Sequence, residues 1–271
     1  MPQPKQSQPQ LFFHLGLPKT GSTFLQRRIF PYIPGIHFFK KHHFRKYHDL
    51  KPVNGEKYFF TFEKDINVKP EMDEIKKKFP ENSYVILVFR PHYSWIVSKY
   101  KNYIRKFGHL NFDQYFSTTK KDCYLDIGPD FYSSIADYAT KLFNGRVLLL
   151  NYEELKQSPE NFMQKIYNFM GLNEEEVIIS RKILKPSFSD NQLVILRKFN
   201  RLIQYKKLNS PIRTVNQIYY KIHHFLLHTV AFFAQFVPIN TKDFKKEIAS
   251  GKDKIEAFFK KDWENMMKRF A

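Results

Sequence analysis

The stretch Leu11 to Phe30, LFFHLGLPKTGSTFLQRRIF, limits what this chain can fold into more than any other. Leu11, Phe12, Phe13 and Leu15 make an apolar run of strand length, broken by Gly16, Pro18 and Gly21 before an apolar-periodic segment that reads as a helix. Strand, glycine loop, helix is an order that aims free backbone N–H groups and the positive end of a helix at one point, a site for a multiply charged oxyanion. Lys19 adds a mobile ammonium, and Ser22 and Thr23 add hydroxyl donors. The spacing departs from the nucleoside-triphosphate loop G-x-x-x-x-G-K-[ST]. Gly16 and Gly21 keep the glycine interval, but Ser22 stands where the lysine belongs, and the lysine sits inside the loop.

Two further strands end in charged residues. Lys57 to Phe62, KYFFTF, is rich in aromatic and β-branched residues and stops at Glu63, Lys64 and Asp65. Glu63 either marks where the chain leaves the core or faces the cleft at the carboxyl edge, where open α/β sheets bind ligands. Ser83 to Phe89, SYVILVF, reads as a strand buried on both faces. It ends in Arg90 and Pro91 rather than in the acidic residue that would hold magnesium after such a strand. A guanidinium fork there suits phosphate oxygens directly, and Pro91 suits the first turn of a helix through Trp95 and Tyr100 to about Phe107.

Pro18, Lys19, Thr20, Gly21, Ser22 and Thr23 together resemble the 5′-phosphosulfate loop of the sulfotransferases that use 3′-phosphoadenosine 5′-phosphosulfate (PAPS). The resemblance implies that these six residues hold the 5′-phosphate and sulfuryl group, with Phe24 where cytosolic members often stack a tryptophan on adenine. Phe62, Glu63 and Lys64 look like the segment that carries the catalytic base of the heparan-type enzymes, which makes Glu63 the base and Lys19 its catalytic partner. A histidine base such as His37 is the minor option. Arg90, Pro91, Ser98 and Tyr100 resemble the motif for the 3′-phosphate, and Lys182 and Lys185 fall about where a late loop closes over that group. Tyr152 and Glu153 sit in a segment similar to the family's and read as mainly structural. The implied fold is an α/β open parallel sheet with flanking helices and a helical C-terminal extension, and the implied chemistry needs no metal.

Composition sets the wider bounds. With 45 Lys and Arg against 26 Asp and Glu, a net charge of +19 predicts a polyanionic partner. The single cysteine, Cys123, excludes an intrachain disulfide and suits a reducing compartment. The polar, proline-rich start has no apolar core, so residues 1–10 are expected as a disordered tail without signal peptide or anchor, which places the chain in the cytoplasm. His42 and His43 in KKHHFRKYHDLK are adjacent and face different ways on a helix, so this segment reads as a basic face rather than a metal site.

Residues 11–190 are expected to form the core and 191–271 a basic helical extension packed on it. From residue 181 onward 19 Lys and Arg face only 7 Asp and Glu. Phe225 to Val237 is too short to span a bilayer; it either packs as core or a docking helix, or lies on a membrane surface. Lys254 to Phe270 reads as one last helix. The expected acceptor bears a hydroxyl or amine, such as an acidic glycan or lipid-linked saccharide, with peripheral contact to an anionic membrane; nucleic acid is not expected. Two rivals stand beside this reading. A P-loop kinase would place its lysine after the second glycine, and a non-catalytic polyanion-binding protein would explain the charge but not two anion motifs at strand ends.

Overall fold

A computed structural model of the chain describes residues 8–39, 50–63, 66–120, 122–172, 188–205 and 208–270. The first half runs β1 (Gln10–Gly16), α1 (Ser22–Phe24, prolonged by a π-helical turn Leu25–Ile29 and a 3-10 turn Phe30–Tyr32), β2 (His37–Phe39), β3 (Lys57–Glu63), α2 (Lys69–Lys78) and β4 (Ser83–Phe89). It continues with α3 (His92–Ile104), α4 (Phe112–Tyr115), α5 (Phe131–Leu142), β5 (Val147–Asn151), α6 (Tyr152–Gln157) and α7 (Pro159–Met170). The rest is helical: α8 (Asp190–Ile203), α9 (Arg213–Ala234), α10 (Lys242–Ser250), α11 (Lys252–Phe258) and α12 (Lys260–Met267). These elements form two compact units. The first takes the described residues of Met1–Pro91, Pro129–Leu184 and Phe259–Ala271, the second those of His92–Gly128 and Lys185–Phe258.

The first unit is built on a five-stranded parallel sheet in the order β2-β3-β1-β4-β5. Parallel strands covered on both faces must be apolar on both, which is why QLFFHLG, KYFFTFE and SYVILVF show nearly continuous burial. Phe12, Phe59, Ile86, Val88 and Leu150 face Leu25, Ile29 and Phe30 on the segment after the loop, and Leu155, Phe162 and Ile166 on α6 and α7. On the opposite face Phe13 stacks on Phe60 at 5.1 Å between ring centroids, and Phe89 meets Tyr132 of α5 at 4.9 Å. The start of α5 is capped from far along the chain. Buried Asp262 of α12 accepts the N–H groups of Tyr132 at 2.9 Å and Ser133 at 2.8 Å, in the place of the adjacent Asp130, whose side chain makes no capping bond.

The second unit is helical. Arg197 of α8 donates to Glu247 of α10 at 2.7 Å and to the Tyr100 hydroxyl of α3 at 2.6 Å. Glu247 also takes the Phe112 N–H at 2.6 Å, so one charged pair ties three helices and the start of α4. Asn200 closes the end of α3, its amide donating to the carbonyls of Ile104 and Gly108, each at 2.8 Å.

The expected elements mostly stand with small shifts of their ends, and three readings need correction. The helix after the glycine loop is only three residues of α before it widens into the π turn and tightens at Pro31, which lacks an N–H to continue it. The single last helix is two, α11 and α12, broken at Phe259, whose φ of −98° and ψ of 7° leave the helical region. Phe225 to Val237 packs as core only in part: Leu227, Ala231 and Ala234 are buried, while Phe225, Phe232, Phe233 and Phe236 are exposed. Among the described residues no helix is long and apolar enough to cross a membrane.

Candidate functional site

The loop after β1 is shaped by two glycines for two different reasons. At Gly16 a Cβ would lie 2.6 Å from Ser22 Oγ and 3.0 Å from the His14 ring, so only glycine lets the first turn of α1 close down on the strand. At Gly21 the backbone has φ 82°, and a Cβ would come within 2.7 Å of the Tyr152 ring. Lys19 also takes a left-handed φ, 74°, which a residue with a Cβ adopts at a cost of about 1 kcal/mol or more. Thr20 is buried and donates its hydroxyl to the Leu17 carbonyl at 2.7 Å, which holds the turn closed beneath Lys19. Phe24 and Leu25 then donate to the Gly21 carbonyl at 2.9 and 3.1 Å.

Ser22 Oγ is buried at the centre of this turn with no hydrogen-bond partner among the described residues. A hydroxyl in that state costs free energy unless a ligand or solvent oxygen meets it. Three residues after Lys19 and at the first residue of α1, it suits a phosphate or sulfate oxygen. Pro18 is half-buried, Thr23 is exposed, and Phe24 is half-buried against the core cluster under the sheet.

The carboxyl ends of the neighbouring strands bring in Glu63 and Arg90. In the β1–β3 register Gly16 is paired with Glu63, so the carboxylate-bearing residue lies one strand away from the root of the loop. Arg90 follows the last residue of β4, its Nη1 3.4 Å from the carbonyl oxygen of Lys19, and its guanidinium carbon 5.1 Å from the centre of the Tyr152 ring. The same ring limits Gly21, so Tyr152 supports the loop and the guanidinium together. The sequence reads Tyr152 as mainly structural. Its position at the start of α6, directly after a β5 strand, was the available signal.

Below the loop runs a buried polar chain that the sequence did not announce. His14 Nδ1 lies 2.8 Å from Thr61 Oγ1, to which Gln26 donates at 3.2 Å. Burial depresses the His14 pKa from the usual 6.5 to about 3, so the ring is neutral across the ordinary pH range. By the two-residue alternation of a strand, Thr61 and Glu63 share a face of β3. A recess of about 550 Å³ lined by Gln10, Lys57, Tyr84 and Arg146 lies at the amino ends of the strands, away from these residues.

Ser98 stands half-buried on α3 in the second unit, and Tyr100, from the same motif, is buried in the Arg197 and Glu247 network there. Burial raises the Tyr100 pKa far above the usual value, in keeping with a structural hydroxyl. His37, the alternative base, is exposed on edge strand β2 and pairs with Glu56 at 3.2 Å. Lys182 and Lys185, the basic segment 40–49, and Lys64 and Asp65 lie outside the described residues. Among the described residues no group of three or more His, Cys, Asp or Glu is placed to hold a metal ion.

An open parallel sheet whose central strand runs into a tight glycine loop, with Glu63 and Arg90 at the adjacent carboxyl ends, defines an α/β protein of the P-loop-like kind. The family model described as "Sulfotransferase family" matches residues 36–176, and the chain belongs to that family, whose members are PAPS-dependent enzymes. No curated protein matches the sequence. Solved structures similar to the chain include a sulfotransferase from Alicyclobacillus acidocaldarius, 16% identical over 72% of this chain and 96% of that one, with a TM-score of 0.48. The sulfotransferase domain from the curacin biosynthetic pathway is 14% identical over 80% and 98% of the two chains, TM-score 0.40. Mouse SULT7A1 complexed with PAP is 18% identical over 62% of this chain and 60% of its own, TM-score 0.38.

Proposed function

We propose that the chain moves a sulfuryl group from PAPS to a hydroxyl or amine of an acidic glycan or lipid-linked saccharide, with the residues around Gly16 as the site. The observation that carries this reading is the convergence of the Lys19 loop and Arg90 over Tyr152, with Glu63 one strand away. PAPS supplies an activated sulfuryl group whose leaving group is a phosphate.

In this reading Ser22 Oγ and the loop N–H groups bind the 5′-phosphate region, and the tightness of the Gly16 and Gly21 turns keeps those donors fixed before the ligand arrives. The Lys19 ammonium stabilises negative charge gathering at the bridging oxygen as the bond breaks. Arg90, held over Tyr152, grips phosphate oxygens with its fork. Glu63 takes the proton of the acceptor group as that group attacks. The polar chain of Gln26, Thr61 and His14 underlies the loop and stays uncharged. The acidic-acceptor part of the reading is supported by the net charge of +19.

Isothermal titration with 3′-phosphoadenosine 5′-phosphate against ADP tests the donor. A preference for the 3′-phosphorylated nucleotide is expected, and equal or better binding of ADP overturns the reading. Transfer of radiolabel from PAPS to a panel of acidic glycans, neutral glycans and lipid-linked saccharides then tests the acceptor; label confined to neutral, lipid-free sugars overturns that part.

A further inference from the structure

Helix α9 is apolar on two opposite sides, and among the described residues only one of them is packed. The buried side is the narrow row of Leu227, Ala231 and Ala234, continued toward the amino end by half-buried Tyr219 and His223. On the far side Ile218, Ile222, Phe225 and Phe232 recur at intervals of three, four or seven residues, so they make one stripe along the helix, and Phe236 follows four residues on, in the turn just past the helix end. All five are exposed, Phe225 by 70% and Phe236 by 68%. Thr229 completes the stripe between them, and its hydroxyl is turned back to the Phe225 carbonyl at 3.0 Å, so it offers little polarity outward. The uncovered apolar area is on the order of 500 Å², at the size that marks an interaction surface on a soluble protein.

Charge decides what covers it. From Asn191 to Lys242 the chain carries eight Lys and Arg and no Asp or Glu. Lys198 and Arg201 on α8, and Arg213 and Lys221 on α9, are all exposed. A second copy would bring two such net-cationic segments together, whereas an anionic lipid surface attracts the segment that carries the stripe. The helix is 22 residues long and falls short of the hydropathy of a spanning segment, so its geometry is that of a helix lying in the interface plane.

We propose that α9 is an interfacial helix that seats this enzyme on an anionic lipid bilayer, with Phe225, Phe232 and Phe236 inserted among the acyl chains. The proposal deepens the reading of the acceptor as lipid-linked, but it concerns a surface remote in sequence from the loop and can fail or hold without the donor assignment.

The test is co-sedimentation of the full chain with vesicles of phosphatidylcholine alone and with 30% phosphatidylglycerol, beside titration with 3′-phosphoadenosine 5′-phosphate. The wild-type chain is expected to bind the anionic vesicles at least tenfold more tightly than the neutral ones. Replacing all three residues (F225D, F232D and F236D) is expected to weaken vesicle binding at least tenfold while the nucleotide affinity stays within twofold. The wild-type series stands by itself should the triple variant fold poorly. Equal binding to both vesicle types, or undiminished vesicle binding by a folded triple variant, overturns the proposal. So does absence of vesicle binding with a dimer in light scattering that the three substitutions dissolve, which would assign the stripe to a second copy.

Discussion

Arg90 Nη1 lies 3.4 Å from the carbonyl oxygen of Lys19, and the two residues are separated by 71 positions in the chain. The contact exists because β4 lies directly beside β1 in the sheet, so that the carboxyl end of one delivers its arginine to the loop that leaves the other. A guanidinium held at that loop suits an anion with several oxygens.

Arg90 is therefore expected to act on donor affinity. Arg90→Ala should weaken binding of 3′-phosphoadenosine 5′-phosphate about 10- to 100-fold, the worth of charge-assisted hydrogen bonds of about 1.5–3 kcal/mol. Arg90→Lys keeps the charge but loses both the fork and the planar contact with Tyr152, so it should recover only part of that loss. Calorimetry on both variants checks this, and full recovery by lysine would show that charge alone matters.

Lys19 and Glu63 are expected to act on turnover. Lys19→Ala should lower kcat by about 10²–10³, and Glu63→Gln by about 10²–10⁴ with the nucleotide Kd within twofold of wild type. Steady-state rates beside a binding isotherm separate the two. A Glu63→Gln enzyme with unaltered kcat would move the base to another residue.

Asp262 predicts a stability effect with no direct part in the chemistry. Removing its carboxylate leaves two buried N–H groups at the start of α5 without their acceptor. Asp262→Ala should cost about 2–4 kcal/mol, on the order of 5–10 °C in melting temperature. Asp262→Asn keeps an oxygen acceptor and should fall less, as thermal unfolding followed by circular dichroism would read.

His14 predicts a pH dependence. Folded, it takes a proton only near pH 3, because burial penalises the cation; unfolded, it does so near 6.5. Above 6.5 both forms are neutral and His14 contributes no slope. As the pH falls from 6.5 toward 3, unfolding takes up a proton and stability is lost, by at most about 1.4 kcal/mol per pH unit. Urea unfolding at pH 7 and pH 5 should show a smaller drop for His14→Gln than for wild type, and equal drops would mean that the ring reaches solvent when folded.

The residues of β1, β3 and β4 announce themselves in sequence because burial on both faces demands continuous apolar runs, and Gly16 and Gly21 announce the loop because a tight turn excludes side chains. These are local requirements, met within a few residues of one another. Tyr152 beneath Arg90, Asp262 on the start of α5 and the chain from His14 through Thr61 to Gln26 are not local. Each joins elements whose neighbours are set by sheet order and helix packing, and no periodicity in a window of sequence encodes that order. The outer stripe of α9 shows the same division. Its composition is plain in the chain, but a row of Phe and Ile reads alike whether it faces core or solvent. Only packing, by taking Leu227, Ala231 and Ala234 inward, decided which side was left uncovered.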